Sequence, residues 1–200
     1  EYLPEMRYSR GGRKVLRAVE AAVDPNRAIR ETETEFERSP TAANRAALAA
    51  ALSAAGRYDE AIKHYEQCAS GSYVKDVHFV RSLAATNLLA ERWSAARVGY
   101  ERLFALGMDV RQPDDDLGYA FALARLGDSG ADAAFRHAVT TANGPVARCR
   151  YAQYLDDAGR RGEARKLYEE VIKEGRLAPA HTRDLHKAWY KLAADALKTP

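Results

Sequence analysis

Residues Gly56 to Ala69 read GRYDEAIKHYEQCA, and the order of side-chain sizes within them decides the fold. The small Ala61 is followed four positions on by the aromatic Tyr65, and three further on by the compact Cys68. Positions i, i+4 and i+7 share one face of an α-helix, so the three point into the same neighbour. Where two helices approach to about 8–10 Å, nothing larger than Ala fits at the crossing, and an aromatic one turn on fills the widening gap. The stretch therefore reads as the second helix of an antiparallel hairpin.

The same order returns as ERWSAARVGYERLF from Glu91, as LGDSGADAAFRHAV from Leu126 and as GRRGEARKLYEEVI from Gly159. Ala61, Ala96, Ala131 and Ala164 fill the small slot, at spacings of 35, 35 and 33 residues. Tyr65, Tyr100, Phe135 and Tyr168 fill the aromatic slot; Cys68, Leu103, Ala138 and Val171 fill the third. A period near 34 residues is that of helix-turn-helix arrays. Upstream of each motif the sequence predicts a partner helix, over 42–55, 77–90, 114–126 and 146–158. Each places a large residue beside an alanine: Leu48 and Ala49, Leu83 and Ala84, Tyr119 and Ala120, Tyr151 and Ala152. Gly56, Gly127 and Gly159 sit where helix C-terminal glycines belong, with Glu91 in that place in the second repeat.

The pattern resembles the tetratricopeptide repeat family, whose motif runs W-x2-L-G-x2-Y, then A-x3-F, then P. The resemblance covers about residues 41 to 176 and is carried by the second-helix half. The leading Trp is replaced by Arg45, Val80, Asp116 and Arg148, the following Gly by Ala, and the nearest candidates for the terminal Pro are Pro145 and Pro179. The resemblance implies an all-α fold, a right-handed superhelical α-solenoid of antiparallel hairpins whose concave face, lined by the first helices, binds peptides or protein surfaces. The expected organisation is an N-terminal basic segment with a degenerate repeat or cap over 1–40, four repeats over 41–176 and a C-terminal capping helix over 177–200. Residues 10–38 read as two helices broken at Asp24-Pro25, and the terminal helix, about 181–198, carries Leu185, Trp189, Leu192 and Ala196 at helical spacing.

At 200 residues and 46% hydrophobic content the chain can bury a sizeable core without metal or disulfide. A formal net charge of +3 with 30% charged residues makes neither nucleic acid nor a membrane an obligatory partner. Cys68 and Cys149 lie 81 positions apart with no CxxC spacing, which fits two reduced thiols in the cytoplasm. No run approaches the roughly 18 apolar residues of a membrane helix. The chain begins at Glu1 without Met, which leaves room for a preceding anchor. Arg7, Arg10, Arg13, Lys14 and Arg17 form a basic N-terminal cluster with two readings: contact with an anionic membrane or nucleic acid, or a solvated helix face beside Glu20 and Asp24. Abundant Ala, and Arg well in excess of Lys, resemble the coding bias of a GC-rich bacterium.

No enzyme or cofactor signature stands out, since GxxxxGK[ST], GxGxxG and HExxH are all absent. Asp114, Asp115 and Asp116 behind Pro113 read as helix capping. His181 and His186, five apart, turn away from a shared metal on a helix, and His64 and His137 read as solvated or partly packed. Cys149 precedes Arg150 with no His near it in sequence, so it is flagged and given no role. Carrying the repeat register onto the first helices places Arg81 and Leu88, then Leu117, Phe121 and Arg125, then Cys149, Arg150 and Gln153 on the concave face, an apolar centre with a mixed rim. The reading is a non-catalytic adaptor for a protein or peptide segment. RNA binding by a helical-repeat array is the alternative, disfavoured by first-helix faces that are more apolar or acidic than basic.

One consequence is testable at once. Ala96→Trp overpacks a hairpin crossing and is expected to lower stability by about 1–3 kcal/mol or more, measured by chemical denaturation. Unchanged stability would refute the register.

Overall fold

The computed structural model describes residues 25–198, and every regular element among them is helical. The basic cluster at Arg7 to Arg17 and the first of the two N-terminal helices expected from the sequence lie outside the described residues. The chain divides after Leu106 into two compact units. The first holds α1 (Pro25–Arg38), α2 (Ala42–Ala54), α3 (Tyr58–Cys68), a 3-10 turn at Gly71–Tyr73, α4 (Val77–Leu89) and α5 (Trp93–Phe104). The second holds α6 (Pro113–Arg125), α7 (Ala131–Thr141), α8 (Pro145–Asp157), α9 (Arg161–Leu177), α10 (Ala180–Leu185) and α11 (Lys187–Lys198). The hairpins α2–α3, α4–α5, α6–α7 and α8–α9 are the strongest helix pairings. Among the described residues no helix is long and apolar enough to cross a membrane.

The size slots behave as their spacing requires. The four small-slot alanines are at most 1% exposed, and the aromatic and third-slot residues are all buried. The crossing of α4 with α5 has no room for a Cβ at Gly99, which would lie 2.8 Å from that of Ala84. Each hairpin turns on one left-handed residue: Gly56 at φ 76°, Glu91 at 57°, Gly127 at 67° and Gly159 at 73°. The next amide then reaches back five residues, from Arg57 to Leu52 and from Arg160 to Leu155 at 2.9 and 2.8 Å, closing the last turn of the first helix. In the second repeat Arg92 bonds Asn87 at 2.9 Å in the same way, so Glu91 holds a glycine's conformation.

The slot that holds Trp in the repeat motif is polar in three of the four hairpins, and there it ties the two helices together. Arg45 of α2 donates to Gln67 of α3. Asp116 of α6 is buried, accepts from the Thr141 hydroxyl of α7 at 2.8 Å, pairs with Arg111 and lies 3.6 Å from His137 Nε2. Arg148 of α8 pairs with Glu174 of α9 at 2.5 Å. Val80, in the second hairpin, is simply buried. Capping therefore accounts for only part of the acidic run at 114–116: Asp115 accepts from the Gln112 amide at 2.9 Å at the start of α6, whereas Asp116 turns inward.

Helix α1 packs along α2, with Ile29 buried against Leu48, Leu52 and Ala61. At the other end the expected helix over 181–198 is broken at His186, whose φ of −105° ends α10. Leu185, left on the short segment, is 76% exposed and does not cover the last hairpin as its spacing suggested. Trp189, Leu192, Ala193 and Ala196 of α11 do so, against α8 and α9. Gly175 makes room for this helix, since a Cβ there would lie 2.8 Å from the Tyr190 ring.

Two consequences follow for stability. Glu91→Gly relieves a left-handed conformation that costs an L-residue about 1–2 kcal/mol and returns part of the gain as chain entropy, so thermal unfolding should show stabilisation of up to about 1 kcal/mol. His64 of α3 sits edge-on to Phe36 of α1 at 6.2 Å, with its Nδ1 buried and without a hydrogen-bond partner. Burial, then the charge of Arg45, holds its pKa below the ordinary 6.5 against the weaker pull of Glu60 and Glu33. The unfolded chain thus takes up the proton first, and stability is full above pH 6.5 and lost as the pH falls below it. Denaturation midpoints between about pH 7.5 and 5 should fall less steeply in His64→Gln than in the parent chain.

Candidate functional site

Within the second unit, α6 and α8 present aromatic side chains toward a shared groove of about 770 Å³. Arg150, Gln153, Tyr154 and Asp157 stand at i, i+3, i+4 and i+7 on α8 and so share one face, while Phe121 and Arg125 stand one turn apart on α6. All six line the groove, with Ala124, Ala158 and Asp156 at its edges and Phe135 and Tyr168 beneath. The floor is a packed aromatic set. Phe135 meets Phe121 edge-on at 5.5 Å and stacks on Tyr154 at 4.9 Å and on Tyr151 at 5.7 Å. Edge-on and offset-stacked contacts at these distances are the arrangements that aromatic rings prefer.

Arg150 fixes the middle of the wall. Its guanidinium carbon lies 5.4 Å from the centre of Phe121 and 4.8 Å from that of Trp189, and its Nη1 donates to Gln153 at 3.2 Å. At the far end the Tyr168 hydroxyl donates to Asp156 at 3.1 Å. Burial, then the neighbouring Asp156 carboxylate, pushes the Tyr168 pKa up, so the hydroxyl keeps its proton and remains a donor. Outside the groove, Asp132 accepts from both Tyr151 at 2.9 Å and Arg160 at 2.6 Å, tying α7 to α8 and to the start of α9.

The structure brings together four of the seven residues predicted to bind a partner on the concave face: Phe121, Arg125, Arg150 and Gln153. Leu117 lies on the same helix as Phe121 but packs, partly buried, against the core of the unit. Arg81 and Leu88 stand half-buried on α4 of the first unit. Cys149, which the register also put on this face, is fully buried, and its thiol points at the Trp189 carbonyl at 3.7 Å. Burial pushes its pKa up to about 11, so it is a protonated, enclosed thiol, the opposite of an activated nucleophile. Among the described residues no three His, Cys, Asp or Glu side chains are grouped to hold a metal ion. Tyr154 was missed as a groove-lining residue, and Trp189 as the ring over which Arg150 lies. Tyr154 was open to detection, one turn from Arg150 on the same face, but Trp189 reaches Arg150 only through the folding back of α11.

No protein-family model and no curated protein sequence matches the chain. Solved structures do. TTC0263, a thermophilic TPR protein of Thermus thermophilus, is 17% identical with a TM-score of 0.68, over 92% of this chain and 96% of that one. MamA is 17% identical with a TM-score of 0.65, over 84% and 95%. YrrB, described as a TPR protein with an unusual peptide-binding site, is 17% identical with a TM-score of 0.59, over 84% and 93%. The repeated hairpins, their size slots and these likenesses agree on one architecture: the chain has the tetratricopeptide-repeat fold, an all-α solenoid of antiparallel helix hairpins.

Proposed function

We propose that the chain is a non-catalytic scaffold that binds a protein or peptide segment in the groove between α6 and α8. The observation that carries this reading is the groove's make-up: a packed aromatic floor from Phe121, Phe135 and Tyr154 within a polar rim of Arg125, Arg150, Gln153, Asp156 and Asp157. An apolar centre with a polar rim is the usual anatomy of a protein interface, and the volume lies within the roughly 300–1,000 Å³ of ligand sites. The buried state of Cys149 supports a role other than nucleophilic catalysis. YrrB, which shares the fold, is described as having a peptide-binding site, and this lends the groove a precedent in kind.

The test is affinity capture from source-cell lysate with the full chain and two variants. Phe121→Arg replaces the aromatic centre with charge, and Ala158→Trp fills the groove from an exposed position outside the core. Each should reduce retention of specific proteins about tenfold or more, as loss of a central anchor does, with circular dichroism and thermal midpoint as folding controls. Retention unaffected by both variants would overturn the groove as the binding site. Retention of RNA alone, released by moderate salt, would replace it with nucleic-acid binding.

A further inference from the structure

We infer that the end of the groove formed by the C-terminus of α8 receives a basic side chain, Lys or Arg, of the bound segment, beside an apolar residue held against Phe121 and Tyr154. The inference rests on the groove being the binding site and names the chemistry of its occupant.

Asp156 and Asp157 close α8, are exposed, and line the groove. The C-terminus of a helix already carries a partial negative charge, so carboxylates in the last turn run against the arrangement that stabilises a helix. Asp156 accepts from the Tyr168 hydroxyl at 3.1 Å within the hairpin, but among the described residues no hydrogen bond of the fold uses Asp157. Of the four first helices, α2 ends Ser53-Ala54, α4 ends Leu88-Leu89 and α6 ends with Arg125; α8 alone ends in acids.

This end gathers two carboxylates and the partial negative charge of the α8 C-terminus, with Arg125 and Arg150 elsewhere in the same lining. Arg150 stands six residues back, about 9 Å along the helix, and its guanidinium is engaged between the Phe121 and Trp189 rings and with Gln153. Arg125, at the end of α6, lines the same groove. Asp156 also borders a second cavity of about 240 Å³ with Arg161 and Arg165, which screens it in part. Asp157 is held by no hydrogen bond or ion pair among the described residues. The negative field reaches the floor, because after burial both Asp156 and Asp157 contribute to the raised pKa of Tyr168. A partner cation here meets carboxylates beside the partly exposed ring of Tyr154, which favours Lys or Arg on both counts and repels an acidic residue.

A random-peptide phage library selected on the full chain tests this, with an enriched peptide then synthesised and titrated by fluorescence anisotropy at two salt concentrations. The expected result is enrichment of peptides that carry an aromatic or aliphatic residue within a few positions of Lys or Arg, with affinity that weakens as salt rises. Asp157→Lys should weaken such a peptide about tenfold or more, and in its own selection should favour Asp or Glu in place of the basic residue. Peptides that depend on Phe121 but show no basic preference, or that bind Asp157→Lys as well as the parent, would overturn this inference and leave the groove reading standing. A selection that yields no peptide sensitive to Phe121→Arg or Ala158→Trp would overturn the groove reading, and this inference with it.

Discussion

Two helices can run close together only where both are small at the crossing, and the rest of this structure depends on that constraint. Ala49 and Ala61 of the first hairpin, Ala84 and Ala96 of the second, and Ala152 and Ala164 of the fourth are all fully buried, and Ala84 meets Gly99 where α4 crosses α5. Once the axes are brought this close, the next turn has a wedge-shaped gap that only a ring fills, hence Tyr65, Tyr100, Phe135 and Tyr168. Burying one such side chain contributes about 1.5–3 kcal/mol, so four of them give each hairpin its own share of core. The left-handed residue between the helices then sets where the return begins. It is this geometry that the second repeat preserves with Glu91 in place of glycine, accepting local strain to keep the crossing in register.

The polar occupants of the Trp slot show a different way of holding a hairpin shut. Arg45 with Gln67, Asp116 with Thr141, and Arg148 with Glu174 each join the two helices of one hairpin across 22 to 26 residues of chain. A buried or half-buried polar pair contributes little net stability compared with an apolar pair of the same size, because its desolvation offsets most of the attraction. What it contributes is register: a slipped hairpin would leave buried Asp116 without the Thr141 hydroxyl of α7, and leaving such a group short of a partner costs about 1–3 kcal/mol. The alanine and aromatic slots therefore supply the core, and the polar slot penalises its misalignment.

How much could be read from the sequence follows from how local each feature is. The size slots are set by residues three and four apart on one helix, so the hairpins, their turns and their bounds were legible to within a residue or so. The cap over the last hairpin was legible as a helix but not as a broken one, since the break at His186 carries no Gly or Pro to announce it. The inward turn of Asp116 was hidden because its partners Arg111, His137 and Thr141 lie on both sides of a helix whose acids also satisfy the rules for capping. Half of the groove was legible for the same reason as the slots: Arg150 and Gln153 on one helix, Phe121 and Arg125 on another. The rest depends on contacts between elements distant in sequence. Trp189 meets Arg150 across 39 positions, and Cys149 looked exposed by register until α11 was placed over it.

The groove also shows why one backbone pattern can be inert in one place and chemically marked in another. In the first repeat the same helix face is Ala43, Ala46, Ala47 and Ala50, side chains too short to form a pocket floor or to carry a hydrogen bond. In α6 and α8 that face becomes Phe121, Arg125, Arg150, Gln153, Tyr154 and Asp157, and the crossing alanines beneath are unchanged. The fold demands only the small and aromatic slots, which face the hairpin partner; it leaves the opposite face of each first helix unconstrained. Residues there that run against helix stability are not set by the slots: Asp156 at the end of α8 is held by the Tyr168 hydroxyl, whereas Asp157 beside it answers to no hydrogen bond of the hairpin.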